Sequence, residues 1–113
     1  MNKVEAIVRP EKLEAVKEGL AEAGFNGLNA IHVTGRGVQR GVVSTSRGGG
    51  SVTVDMLPKV KIEVVVATKD TEKVIDIILK AARTGNIGDG KIFITPVSEV
   101  VRVRTGERGE AAL

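Results

Sequence analysis

The sequence predicts an α+β domain on three observations: apolar residues at every second position, apolar stripes at helical spacing, and a weak internal repeat that combines the two. Lys3 to Val8 alternates in period two, with Val4, Ala6 and Val8 on one face and Glu5 and Ile7 on the other, which is the pattern of a half-buried strand. Pro10 follows where a missing N–H costs a first helical turn nothing. Leu13, Val16, Leu20 and Ala23 then recur at helical spacing until Gly24. Asn29 to Val33 reads as a second strand, broken by the glycines of Thr34-Gly35-Arg36-Gly37-Val38-Gln39-Arg40-Gly41, where a long loop begins. Val60, Ile62, Val64 and Val66 mark a third strand. The helix after it carries the stripe Val74, Ile77, Ile78 and Ala81, with Asp70 as cap or first-turn acid and Gly85 as terminator. Ile92 to Val97 is the next strand and Val100 to Arg104 a short last one, with Arg102 and Arg104 on one side. From Gly106 the tail is polar and expected to be mobile.

Lys3-Val4-Glu5-Ala6-Ile7-Val8 matches Lys61-Ile62-Glu63-Val64-Val65-Val66, and Val16, Leu20 and Ala23 match Val74, Ile78 and Ala81 at the same offset. Two right-handed βαβ halves interleaved into one antiparallel sheet make the ferredoxin-like βαββαβ sandwich, with both helices on one face. The other face, which includes Ile7 and Val65, is left bare in a two-layer fold, so oligomerisation is the expected cover.

At 113 residues and 42% hydrophobic content the chain suits one domain, 1–113, with a modest core. It has no Cys, so neither a disulfide nor a thiolate metal site can form, which suits a reducing cytoplasm. No apolar run approaches the roughly 20 residues that span a bilayer, and the start carries no signal-peptide pattern. The net charge of +3 fits either an acidic ligand such as a nucleotide phosphate or a mildly basic solvated surface. Nucleic acid is disfavoured, because the only aromatic residues on which bases could stack are Phe25 and Phe93. Lone His32 cannot build a zinc or copper site by itself.

The stretch richest in chemistry is Thr84-Gly85-Asn86-Ile87-Gly88-Asp89-Gly90-Lys91. Its glycines let backbone N–H groups approach phosphate oxygens, and Lys91 adds a point charge. It is not a Walker motif, and a bare tight turn explains the same residues. Arg102 and Arg104 could clamp a polyphosphate or simply face solvent. For an enzyme, Asp89 beside Lys91 is the only candidate constellation, and it serves equally well for binding.

Thr84-x-x-x-Gly88-Asp89-Gly90-Lys91-Ile92-Phe93-Ile94-x-x-Val97 resembles the C-terminal signature of the PII signal-transduction proteins. The resemblance runs from Lys3-Val4-Glu5-Ala6-Ile7-Val8-Arg9-Pro10, through Gly35-Arg36-Gly37-Val38-Gln39 and Leu57-Pro58-Lys59-Val60-Lys61, to Val101-Arg102-Val103-Arg104-Thr105-Gly106. Spacings match apart from one extra residue in the long loop.

It implies a non-enzymatic homotrimer with nucleotide sites between subunits, where Gly88, Asp89, Gly90 and Lys91 line the phosphates of ATP or ADP. Arg102 and Arg104 would join them from the neighbouring subunit. Asn29, Glu63 and Val65 would surround adenine and ribose, and Gly37 and Val38 would border the nucleotide. Gln39 would complete a Mg site shared by ATP and 2-oxoglutarate, the latter held also by Arg40, Gly41, Lys59 and Gly88. Residues from 37 to about 56 correspond to the partner-binding T-loop, and those from about 100 to 113 to the C-terminal segment.

The chain has no Tyr, so uridylylation as in enterobacterial relatives cannot occur, and Val38 stands where an arginine is usual. Ser44, Ser46 and Ser51 are candidate modification sites or ordinary loop serines. The implied partners are an ammonium channel, nitrogenase or glutamine synthetase, with any membrane association through the channel. Pro58-Lys59 fits the channel branch, whereas the missing tyrosine also fits the nitrogenase branch. The alternative is a nucleotide-hydrolysing or acylphosphatase-like enzyme on the same fold.

Overall fold

The computed structural model describes residues 1–36, 43–45, 51–53 and 56–113. Gly37, Val38, Gln39, Arg40, Gly41 and Ser46 lie outside the described residues. Strand β1 (Asn2–Val8) leads through a 3₁₀ turn (Pro10–Lys12) into α1 (Leu13–Glu22), and β2 (Leu28–Arg36) follows. Short strands β3 (Val43–Thr45) and β4 (Ser51–Thr53) pair with each other. Then come β5 (Met56–Val66), a 3₁₀ turn (Thr68–Asp70), α2 (Thr71–Ala82) and β6 (Lys91–Pro96).

The main sheet has the order β2-β5-β1-β6, antiparallel throughout, which is the ferredoxin-like topology. Val4, Ala6 and Val8 of β1 and Val60, Ile62, Val64 and Val66 of β5 are buried against Val16 and Leu20 of α1 and Val74 and Ile78 of α2. Strand alternation and helical stripe thus meet in one layer, as their periods require. The helices cross closely at Gly19, where a Cβ would stand 3.0 Å from Cγ2 of Ile77. Ile78 is 1% exposed, so Ile78→Ala is expected to cost about 2–5 kcal/mol of stability, read as a lower denaturant midpoint.

The repeat is also geometric. Arg9 and Ala67 are both extended before a 3₁₀ turn, and Lys12 and Asp70 enter their helices at φ/ψ of −95/−7 and −95/−6. Asp70 makes no side-chain cap bond. Gly85 does not end α2, which stops at Ala82 with Arg83 extended behind it.

Three boundaries differ from the sequence reading. Gly35 does not break β2, which continues to Arg36 opposite Met56, because Gly35 lets the strand lie against Lys59, whose Cγ would be 3.1 Å from a Cβ there. Correspondingly β5 begins at Met56 and carries Pro58. The residues from Val100 to Arg104 are not a strand: they form a turn closed by an isolated Val101–Arg108 bridge, with Arg102 N–H donating to Glu107 O at 2.8 Å and Gly106 N–H to Arg102 O at 2.8 Å. The tail is likewise folded back, with a 3₁₀ turn at Gly109–Ala112 and Gly109 N–H donating to Val100 O. A short hairpin satisfies these backbone groups locally, which a further sheet strand would have done across the chain.

By register, the face of the sheet away from the helices carries Lys3, Glu5 and Ile7 of β1, Lys59, Lys61, Glu63 and Val65 of β5, Asn29, Ile31 and Val33 of β2, and Lys91 and Phe93 of β6. Ile31 is 49% and Phe93 46% exposed on it. Lys61 bridges Glu5 at 4.0 Å and Glu63 at 3.6 Å, and Lys3 reaches Glu5 at 3.9 Å.

Candidate functional site

The segment between α2 and β6 is built around one carboxylate. Asp89 accepts from the Thr84 hydroxyl at 2.5 Å, the Thr84 N–H at 2.8 Å, the Gly85 N–H at 2.9 Å and Arg9 Nε at 3.2 Å. The Thr84 hydroxyl and N–H hold its carboxyl well below the usual range; partial burial opposes them, and Gly85 and Arg9 add to the lowering. A depressed folded value means that this carboxylate stabilises the fold fully above its unfolded value near ~4, and the contribution fades as pH falls through the lower folded value. A carboxyl NMR titration is therefore expected to show Asp89 still ionised at pH 4. A midpoint at or above the ordinary Asp value would disprove the bracing.

Two cations anchor the loop to the sheet. Arg9, just past β1, also donates from Nη2 to Ile87 O at 2.9 Å, and Lys59 of β5 donates from Nζ to Gly88 O at 2.5 Å. Gly88 and Gly90 take φ of +104° and +101°, conformations open to glycine. Gly90 lies so near β1 that a Cβ would collide with the Ile7 carbonyl oxygen.

Ile87 O and Gly88 O are thus held by the two cations, and the Asp89 N–H donates to Asn86 O at 3.3 Å. Among the described residues no acceptor takes the N–H of Gly88 or Gly90, and the exposed Lys91 ammonium has no carboxylate partner. N–H groups without an acceptor beside an exposed ammonium are suited to an anion.

Of the residues singled out from sequence, the fold gathers Gly88, Asp89, Gly90, Lys91 and Lys59. Asn29 and Glu63 face each other across β2 and β5, with Val65 farther along β5. Glu63 lies four residues from Lys59, about 13 Å at strand rise. Arg102 and Arg104 are not brought to the loop. β6 begins beside Ile7 and ends beside Asn2, so the chain departs from the opposite end of the sheet, and Arg102 pairs with Glu107 at 2.9 Å. Sequence reasoning missed Arg9 and Thr84 as loop braces; the only signal was a cation at the end of β1, whose meaning depends on β1 lying beside β6.

Among the described residues no helix is long and apolar enough to cross a membrane, and no group of three His, Asp or Glu side chains could hold a metal ion.

The profile of the family described as Nitrogen regulatory protein P-II matches residues 1–107. The chain is 51% identical to Nitrogen regulatory protein P-II 2 of Methanothermobacter thermautotrophicus, over 100% of this chain and 97% of that protein. It is 53% identical to Nitrogen regulatory protein P-II of Azospirillum brasilense and 52% to that of Cereibacter sphaeroides, over the full length of both. The chain therefore belongs to the P-II family of nitrogen regulatory proteins, whose members are signal-transduction proteins and not enzymes.

Proposed function

We propose that this chain senses ATP, ADP and 2-oxoglutarate in the cytoplasm and passes their state to a nitrogen-metabolism protein through residues 37–56. The observation that carries the reading is the 84–91 loop, whose own carboxylate is tied down while, among the described residues, no acceptor takes the Gly88 or Gly90 N–H and Lys91 is exposed. Nucleotide phosphates supply the missing acceptors, with Asp89 shaping the cradle by its side chain. In a homotrimer, Arg102 and Arg104 of a neighbouring subunit would close over the phosphates, which fits their departure from the far end of the sheet. Glu63, about 13 Å along β5 from Lys59, with Asn29 facing it from β2 and Val65 farther along β5, would then meet ribose and adenine.

2-Oxoglutarate would enter next to Lys59 and Gly88, with Gln39, Arg40 and Gly41 on its other side and Gly37 and Val38 bordering the nucleotide. Mg needs only one or two protein oxygens when phosphates and waters complete its shell, so a single Gln39 oxygen suffices from the chain, and the lack of a carboxylate cluster among the described residues is compatible with it. The ion would bridge two anions that otherwise repel. The partner would be an ammonium channel, nitrogenase or glutamine synthetase, and contact with a membrane would come only through a channel.

The test is a titration with 2-oxoglutarate in Mg-ATP, in Mg-ADP and without nucleotide. Binding is expected in Mg-ATP alone, with ATP affinity raised by the same factor by which ATP raises that of 2-oxoglutarate. Equal binding in all three conditions would refute a shared metal. Binding in none would leave an adenine-nucleotide sensor.

A further inference from the structure

We propose that Arg9 is a positioning residue for nucleotide binding: its guanidinium fixes the Ile87–Gly88 peptide so that the Gly88 N–H faces the ligand. The inference rests on the nucleotide reading above. In a trans peptide the carbonyl of one residue and the N–H of the next point in opposite directions. Arg9 Nη2 holds Ile87 O at 2.9 Å, so the Gly88 N–H is turned the other way. Lys59 fixes the following peptide through Gly88 O, and that peptide's Asp89 N–H donates within the loop to Asn86 O at 3.3 Å, which leaves the Gly88 N–H as the outward donor.

Arg9 grips a second point, Asp89 Oδ1, through Nε at 3.2 Å. One planar group thus sets the spacing between residues 87 and 89 on either side of Gly88, a task that a guanidinium fork performs and an ammonium on a flexible stem does not. The Arg9 side chain is only 18% exposed and that of Asp89 23%, so water competes weakly for the part-buried Asp89 bond, which anchors the guanidinium while its Nη2 holds the exposed Ile87 carbonyl. Without Arg9, the glycine-rich turn lets the peptide rotate. Rotation would present the Ile87 carbonyl oxygen to the phosphates and so replace a donor by an acceptor at the same place.

This assignment separates position from charge. If Arg9 acted only as a nearby positive charge, Arg9→Lys would restore binding. As a positioning residue it cannot be replaced by Lys, because the two acceptors would no longer be held at fixed spacing.

ATP binding by wild type, Arg9→Lys and Arg9→Gln should be measured by calorimetry, together with the Gly88 amide signal in ¹⁵N-labelled protein. Both variants are expected to bind ATP at least 10-fold more weakly, to keep the wild-type circular dichroism, and to lose the shift of the Gly88 amide that ATP induces in the wild type. Arg9→Gln covers the case in which Arg9→Lys folds poorly, since it is neutral yet can still donate to one acceptor. Wild-type affinity in Arg9→Lys with weak binding in Arg9→Gln would show a simple charge effect and overturn the proposal, as would unchanged affinity in both. No ATP binding by the wild type itself would instead remove the nucleotide reading, and the positioning role with it.

Discussion

Gly90→Ala is expected to abolish measurable ATP binding and to lower the stability of the domain by several kcal/mol, a larger loss than any other single methyl in the loop should cause. Two effects coincide. Position 90 has φ of +101°, which costs a residue with a side chain about 1–3 kcal/mol, and the added Cβ would collide with the backbone oxygen of Ile7. That oxygen belongs to the central strand β1 and cannot step aside. The collision must therefore be relieved by moving the loop and Lys91, which disperses the outward N–H groups. Gly85→Ala provides the contrast, because Gly85 also has positive φ, +88°, but a Cβ there meets nothing within 4 Å. Only the conformational cost should appear in it. Equal denaturant midpoints for Gly90→Ala and Gly85→Ala would show that the close approach to Ile7 does not constrain the loop.

Ile31→Glu is expected to convert the proposed trimer into monomers. Ile31 is 49% exposed on the edge strand β2, on the face that also carries Ile7, Val65 and Phe93, and Lys61 lies directly opposite it on β5. Within one chain the new carboxylate gains a favourable neighbour, so the monomer fold should persist. In a closed ring the substitution recurs in every copy, and the loss of about 1.5–3 kcal/mol of apolar burial per side chain becomes roughly 5–9 kcal/mol per trimer. Burial of an unpaired charge would add to it. Analytical ultracentrifugation at micromolar concentration reads the outcome directly. A wild type that sediments as a monomer would eliminate the ring, and a variant that stays trimeric would place the interface elsewhere. If the ring dissociates as expected, ATP affinity should fall as well on the proposed reading, in which Arg102 and Arg104 close over a neighbour's phosphates.

Residues close together in the chain determined much of this protein by themselves. The alternation of Val4, Ala6 and Val8 and the stripe of Val74 and Ile78 depend only on neighbours two to four positions away, so they identify strand, helix and buried face without knowledge of the rest. The likeness of Lys3–Val8 to Lys61–Val66 adds the pairing of two βα units, and the run from Thr84 to Lys91 marks both the family and the loop. Tertiary structure decided what those loop residues do. Asp89 reads from sequence as a ligand or a base, yet its carboxylate braces Thr84 and Gly85 and meets a cation 80 positions earlier in the chain. Lys59 finds Gly88 across 29 positions. The C-terminal arginines, which alternate as a strand would, sit on a turn because Glu107 and Arg108 fold back onto them. Periodicity reports which way a side chain faces relative to its own backbone, whereas a bond between distant residues depends on sheet order, and that order is set by how the two βα units bury their apolar faces against each other.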